Sequence, residues 1–402
     1  MRKTVWIVML CVSLVLGFSA GAFAAKTLEI GALYPISGSL ALLGEESWRG
    51  AEIARMQRNK AGGVAGMEVI FVQGDANTPA TSRSEAERLI EQKGVKGILG
   101  TYSSSRCMVA SEVAGRKGIP YFELGAIAND ITTRGYKTMW RINPTAAHFS
   151  VAQVEFIIDW LAPKLGKKPS DIKVSVAHED SDYGSSVAAS FSELAKKKGL
   201  QVVSVEPYAA NSSDLSSVIF RLRKAEPDIV VAVSYAQDAI LLSRQAIELK
   251  LNVPFIGTGG GHSLQSFADA LGKNAEGVLN VDFTQYEVNT AFTPGLTNFL
   301  GLYKETFKAN PRSGHSLANY MGANVVFDIL QKTGGSLDPK AVQKAAMAMD
   351  VKVGSTATGW GVKFDENGQN IRVTPQVTQW RDGKLVTVFP KGAAVMEPIL
   401  IK

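Results

Sequence analysis

Residues 28–34, LEIGALY, form a short apolar run that stops at Pro35-Ile36-Ser37-Gly38, as a strand running into a turn does. Residues 45–60 then carry Ala51 and Ala54 on an inward helical face, and Ala61-Gly62-Gly63 ends that helix. The beat continues with a strand at 67–72, a helix at 82–93 whose Ala86, Leu89 and Ile90 share one buried face, and strands at 95–99 and 119–124. A second series follows, with strands at 171–177 (DIKVSVA), 202–205, 228–233 (DIVVAV) and 254–256 and helices at 185–198 and 238–249. Apolar strands alternating with amphipathic helices predict parallel sheets covered on both faces. Two such series, separated near 141–146, predict an α/β protein of two doubly wound lobes with parallel central sheets. The tail breaks the beat: a helix at 317–330, a strand running into a turn at 362–368, and a hairpin of 377–380 and 385–389 joined by Arg381-Asp382-Gly383-Lys384. Spacing alone assigns these pieces to neither lobe.

The bulk numbers agree with a large folded protein. The chain has 402 residues, 46% hydrophobic and 20% charged, enough for two or three domain-sized cores. Its formal charge of +6 is spread along the chain, without the basic stripe a nucleic-acid binder needs. The N-terminus reads as an export leader. Arg2-Lys3 precede an apolar run over 5–18, and Ala22-Phe23-Ala24 gives a small-x-small cleavage pattern. That run is short of the roughly 20 residues a membrane span requires. A signal peptide over residues 1–25, cut after Ala24 or Ala25, is therefore expected. Cys11 lies within it, and the preceding Met9-Leu10 are not the small residues of a lipidation site. Beyond the leader only Cys107 remains, which excludes an intramolecular disulfide and reads as a small buried residue.

Catalytic templates are missing: there is no G-x-S-x-G, no P-loop and no C-x-x-C. Gly257-Thr258-Gly259-Gly260-Gly261-His262 begins like a dinucleotide loop but has His at the last glycine position. His148, His178, His262 and His315 are too scattered for metal-ligand spacing. No cofactor, metal or enzymatic activity is expected. Ligands of open parallel sheets bind beyond the carboxyl ends of the strands, and there the sequence is rich. Gly100-Thr101-Tyr102-Ser103-Ser104-Ser105 follows a strand and opens a helix through Val109 and Val113. Hydroxyls and free N–H groups at a helix N-terminus suit a carboxylate, although Ser103 or Ser104 could instead be a plain N-cap. Gly125-Ala126-Ile127 is a small-residue loop after the next strand. Tyr183, Tyr235 and Gly259-Gly260 stand at the matching strand ends of the second series, giving an apolar wall with polar tips.

At these residues the chain resembles the leucine/isoleucine/valine-binding branch of the type I periplasmic binding proteins that serve ABC transporters. The likeness covers the mature chain and rests on LYPISGSLALLGEESWRGAEIA, GTYSSS, ELGAIANDITTRGY, Asp182-Tyr183-Gly184, FIGTGGG and PRSGHSLANY. It implies two Rossmann-like lobes joined by a three-segment hinge, one of 26–145 with 284–352 and the other of 146–283 with 353–402. It implies a periplasmic monomer that carries a small carboxylate-bearing ligand to a permease. A ligand-sensing module coupled to a signalling receptor is the alternative. Carried over from the family, Ser103 and Ser104 bind the ligand carboxylate, Gly125, Ala126 and Ile127 supply backbone groups near its amine, and Tyr183 and Tyr235 are the tyrosines contributed by the second lobe. Two departures stand out. Ile127 occupies the place of the family's threonine, and the loop 257–261 lacks the glutamate that pairs with the ligand ammonium. Either Glu123, Glu179, Asp180 or Asp238 replaces that glutamate, or the ligand is an amine-free acid or amide. Tyr102 also stands where the family has a disulfide cysteine.

Overall fold

The computed structural model describes residues 26–401; the leader, its cleavage site and Cys11 lie outside the described residues. Strands β1 (Thr27–Tyr34), β2 (Glu68–Asp75), β3 (Ile98–Gly100), β4 (Tyr121–Glu123) and β5 (Met139–Arg141) form one sheet in the order β2-β1-β3-β4-β5. Every pairing in it is parallel. A second sheet contains β6 (Lys173–Glu179), β7 (Gln201–Tyr208), β8 (Ile229–Val233), β9 (Phe255–Thr258), β10 (Leu279–Asp282), β11 (Gln376–Arg381) and β12 (Lys384–Phe389). Its order is β12-β11-β10-β9-β8-β6-β7. From β7 to β10 this repeats the doubly wound order of the first sheet, so both lobes are variations of one plan. The terminal hairpin β11–β12 extends the second sheet antiparallel to β10.

Burial explains why the strands read as apolar runs. All of β3, β4, β5, β8 and β10 is buried, as helices on both faces require. The first lobe takes its outer helices from both ends of the chain: Ala41–Lys60 packs along His315–Lys332, which in turn meets Pro339–Met347. Helices Ala146–Phe156 and Asp182–Lys197 pack together on the second lobe.

The chain crosses between the lobes after β5, after β10 and before β11. Arg141 ties the first and last crossings together. It is fully buried, donating to Gln369 Oε1 (2.5 Å), the carbonyl of Ala128 (2.5 Å) and Thr132 Oγ1 (3.2 Å). Burial lowers its pKa to about 10. Residues 362–368 do not form the strand their pattern predicts. They make isolated bridges, Val351 with Val362 and Phe364 with Asn370, and Gln369 lies beside Arg141 at the edge of the first sheet. Sequence spacing also passes over β5, β10 and the helix Ser216–Ala225.

Candidate functional site

The carboxyl ends of six strands meet around a small space between the lobes. Its wall comprises Tyr102 and Ser104 after β3, Gly125 and Ile127 after β4, and Tyr183, Tyr235, Gly259–Gly260 and Asp282–Phe283 after β6, β8, β9 and β10. Phe149 and His315 come from helices.

The serine loop opens the helix Ser104–Arg116. Ser103 occupies the N-cap position, yet no side chain caps the first turn, so its N–H groups remain available. Ser104 Oγ accepts the N–H of Ala128 (3.1 Å), which leaves the hydroxyl proton of Ser104 to donate elsewhere. Ser103 lies one step behind the wall: its hydroxyl meets Tyr235 OH across the cleft (3.4 Å) and accepts from Arg106 Nη1 (3.0 Å). Arg106 thus brings a cation behind the loop, half-buried against the carbonyl of Ala76 (2.7 Å). Ser105 lies outside the wall, accepting the N–H of Asp182 in the other lobe (3.4 Å).

Glu123, which ends β4, anchors both loops of the first lobe. It is wholly buried, and its Oε2 accepts Thr101 N (2.7 Å) and Thr101 Oγ1 (3.0 Å). Its Oε1 accepts the N–H groups of Tyr102 (3.3 Å), Leu124 (3.1 Å), Gly125 (2.8 Å) and Ala126 (2.7 Å). The carbonyl of Ala126 accepts from Asn143 Nδ2 (3.0 Å), so both backbone groups of Ala126 are taken within the protein.

Aromatic rings line the cavity from both lobes. The rings of Tyr183 and Tyr235 lie 5.1 Å apart, those of Tyr102 and Tyr235 6.4 Å, and those of Tyr102 and His315 5.1 Å. Burial pushes all three tyrosine hydroxyls well above their usual pKa and lowers His315 to about 3, so these groups are neutral. Tyr183 OH donates to the carbonyl of Thr258 (2.5 Å). Gly260 is needed for close approach rather than for phosphate: a Cβ there would lie 2.9 Å from Leu43 Cδ1 and 3.1 Å from His315 Cε1, both in the first lobe.

The profile of the periplasmic binding protein family matches residues 27–384, nearly the whole described chain. The chain belongs to that family. Among its relatives is the Leu/Ile/Val-binding protein homolog 8 of Brucella suis biovar 1, 47% identical over 387 residues, which are 95% of this chain and 96% of the relative. The fold is shared with LivJ of Streptococcus pneumoniae, the branched-chain amino acid transporter substrate-binding protein, solved with isoleucine. There the TM-score is 0.76 at 22% identity, covering 93% of this chain and 100% of LivJ. A Rhodopseudomonas palustris ABC-transporter solute-binding protein solved with benzoate gives 0.77 at 20% identity, covering 92% and 98%.

Within this family frame the structure gathers Tyr102, Ser104, Gly125, Ile127, Tyr183, Tyr235, Gly259 and Gly260 around one cavity, and sets Ser103, Ser105 and Ala126 just outside its wall. Sequence reasoning missed Phe149, Asp282, Phe283 and His315 on the wall, and Arg106 behind it. His315 lay within the quoted PRSGHSLANY, but nothing in the pattern aimed it at the cleft. Of the four acids considered as ammonium partners, none lines the cavity. Glu123 is bound to its own loops. Glu179 holds the turn before Tyr183 through Ser181 and Gly184, Asp238 accepts from Tyr208 OH (3.0 Å), and Asp180 is exposed.

Proposed function

We propose that this chain is the periplasmic solute-binding protein of an ABC importer. It captures a small carboxylate-bearing solute between its lobes as a monomer and hands it to the permease. The lobes are 26–145 with 284–352 and 146–283 with 353–402, residues 1–25 are a signal peptide removed on export, and closure about the three crossings encloses the solute. The observation that carries this reading is an uncapped helix N-terminus, with the free hydroxyl proton of Ser104, ending on a small cavity between lobes. Such a terminus favours an anion through its N–H groups and its dipole. Arg106 adds positive potential through Ser103. The relatives point the same way: one is named for leucine, isoleucine and valine, and the fold neighbours hold isoleucine and benzoate, which share a carboxylate. Amino acids and amine-free aliphatic or aromatic acids both present that group to these contacts.

Calorimetric titration of leucine against leucinamide, and of benzoate against benzamide, tests the carboxylate grip. The acid of the pair that binds is expected to bind about 100-fold more tightly than its amide, and Ser104→Ala to weaken it about 10-fold or more, as for a hydrogen bond to a charged group. Equal binding of acid and amide would sink the assignment.

A further inference from the structure

Tyrosine hydroxyls and an imidazole line the cavity, and their partners differ. Tyr183 OH donates to the carbonyl of Thr258, and Tyr235 OH meets Ser103 Oγ. Among the described residues Tyr102 OH has no hydrogen-bond partner. Nor has His315 Nε2, although His315 Nδ1 lies 3.2 Å from Ser313 Oγ. Neither unpartnered atom is enclosed by protein, so both open onto the cavity their side chains line. Tyr102 is 6% exposed and His315 3%, so the two groups face that space rather than bulk solvent. Their rings stand 5.1 Å apart and make one polar corner. The backbone holds Tyr102 there at a φ of 79°, in the left-handed region that bulky side chains seldom adopt. Glu123 Oε1 accepts its N–H (3.3 Å), and a Cβ on Gly125 would lie 2.9 Å from Tyr102 Cα, so the glycine is what lets the two loops approach. A strained residue that its surroundings fix in place points to a use for its side chain.

We propose that Tyr102 OH and His315 Nε2 form a hydrogen-bonding corner that reads a neutral polar group on the ligand, so the site prefers a carboxylate bearing a hydroxyl to one whose tail is hydrocarbon alone. This rests on the carboxylate reading above and deepens it: the serine loop holds the charge, and the corner reads the tail. The neutrality of the corner decides the class. Burial raises the Tyr102 hydroxyl well above its usual pKa and lowers His315 to about 3, so neither offers a cation to a second carboxylate. A ligand hydroxyl both donates and accepts, and so does the phenol it would meet. A methyl group in the same place would leave two buried polar groups unpaired, and that loss is the source of the discrimination. At this position the family resembled has a cysteine, which offers no such hydroxyl.

The test is a calorimetric titration of the whole protein, freed of co-purified solute, with pairs of acids that differ by hydroxyl against methyl. Suitable pairs are threonine and valine, 4-hydroxybutanoate and pentanoate, and 4-hydroxybenzoate and 4-methylbenzoate. In the pair that binds, the hydroxyl acid is expected to bind about 10- to 100-fold more tightly than its methyl analogue. Tyr102→Phe removes one oxygen and should cut that preference to about 3-fold or less, and His315→Phe should reduce it as well. A methyl analogue bound as tightly as its hydroxyl partner overturns the corner and leaves the carboxylate reading intact. A Tyr102→Phe variant that weakens both members of a pair alike also overturns it, because the hydroxyl would then serve the carboxylate. If no acid in the panel binds, both readings fall. Should the variants not fold, the comparison within each pair on the wild-type protein decides by itself.

Discussion

Glu123 carries more of the site than any residue that lines it. Two loops that follow different strands are held by one carboxylate, whose six bonds join Thr101 and Tyr102 to Leu124, Gly125 and Ala126. In Glu123→Gln the amide nitrogen would replace an acceptor and face N–H donors. The expected cost is about 2–4 kcal/mol, from several buried donors left unpaired. It should be read as a lowered thermal midpoint together with weaker binding of every ligand. Unchanged melting and binding would show the network to be dispensable. The sequence presented Glu123 as one of four candidate ammonium partners, and the structure turns it inward. That outcome was illegible because it depends on where two loops, separated by about twenty positions, meet in space. Asp282 was illegible for the opposite reason: its neighbours in sequence, Leu279 to Val281 and Phe283, give no sign that its side chain ends in a cavity.

Among elements, those specified by local chemistry were legible. The hairpin β11–β12 was predicted from Asp382-Gly383, and both residues have positive φ, 50° and 75°, as the tight turn between Arg381 and Lys384 requires. A Cβ on Gly383 would meet nothing within 4 Å, so Gly383→Ala isolates the backbone term. It should cost about 1 kcal/mol in thermal or denaturant unfolding and leave ligand affinity untouched. An affinity change would mean that the hairpin communicates with the cleft. Among the elements that were missed are the strands β5, with three residues, and β10, with four. β10 also carries Asn280 and Asp282 in a fully buried strand, against the apolar pattern expected there. Residues 362–368 had a strand's composition but found no strand partner, since the edge of the first sheet receives only the bridge between Arg141 and Gln369.

At the scale of the molecule, the lobes meet away from the cavity as well as around it. Asn129 of the first lobe donates its N–H to Ser186 Oγ (2.9 Å) and its Nδ2 to Ser190 Oγ (2.6 Å), both on the helix Asp182–Lys197 of the second. Leu40, Leu43 and Tyr102 pack against Leu264 across the same divide. Since these bonds form only when the lobes meet, a Ser186→Ala, Ser190→Ala double variant should lower the closed fraction. Apparent affinity should then fall by about 3- to 10-fold, by the same factor for every ligand, because the binding-competent state is less populated. A change in the ranking of ligands would place these serines in the ligand's own environment instead.

The sequence by itself determined the alternation of buried strands and covering helices, and with it the two doubly wound lobes. It also determined the positions of the strand-end loops, because periodicity and turn chemistry are local properties of the chain. It could bring GTYSSS, the Gly125–Ile127 loop, the tyrosines and the glycine run to the correct ends of strands. Only the tertiary structure decided which of their groups remain free. Glu123 consumes the backbone of one loop, Ser103 turns to Arg106 and Tyr235, and Ser104 keeps its proton. Asp282 is left on the wall without a counter-charge. Whether a polar group is available to a ligand depends on every partner that can reach it, and those partners come together only when both lobes are folded and packed against each other.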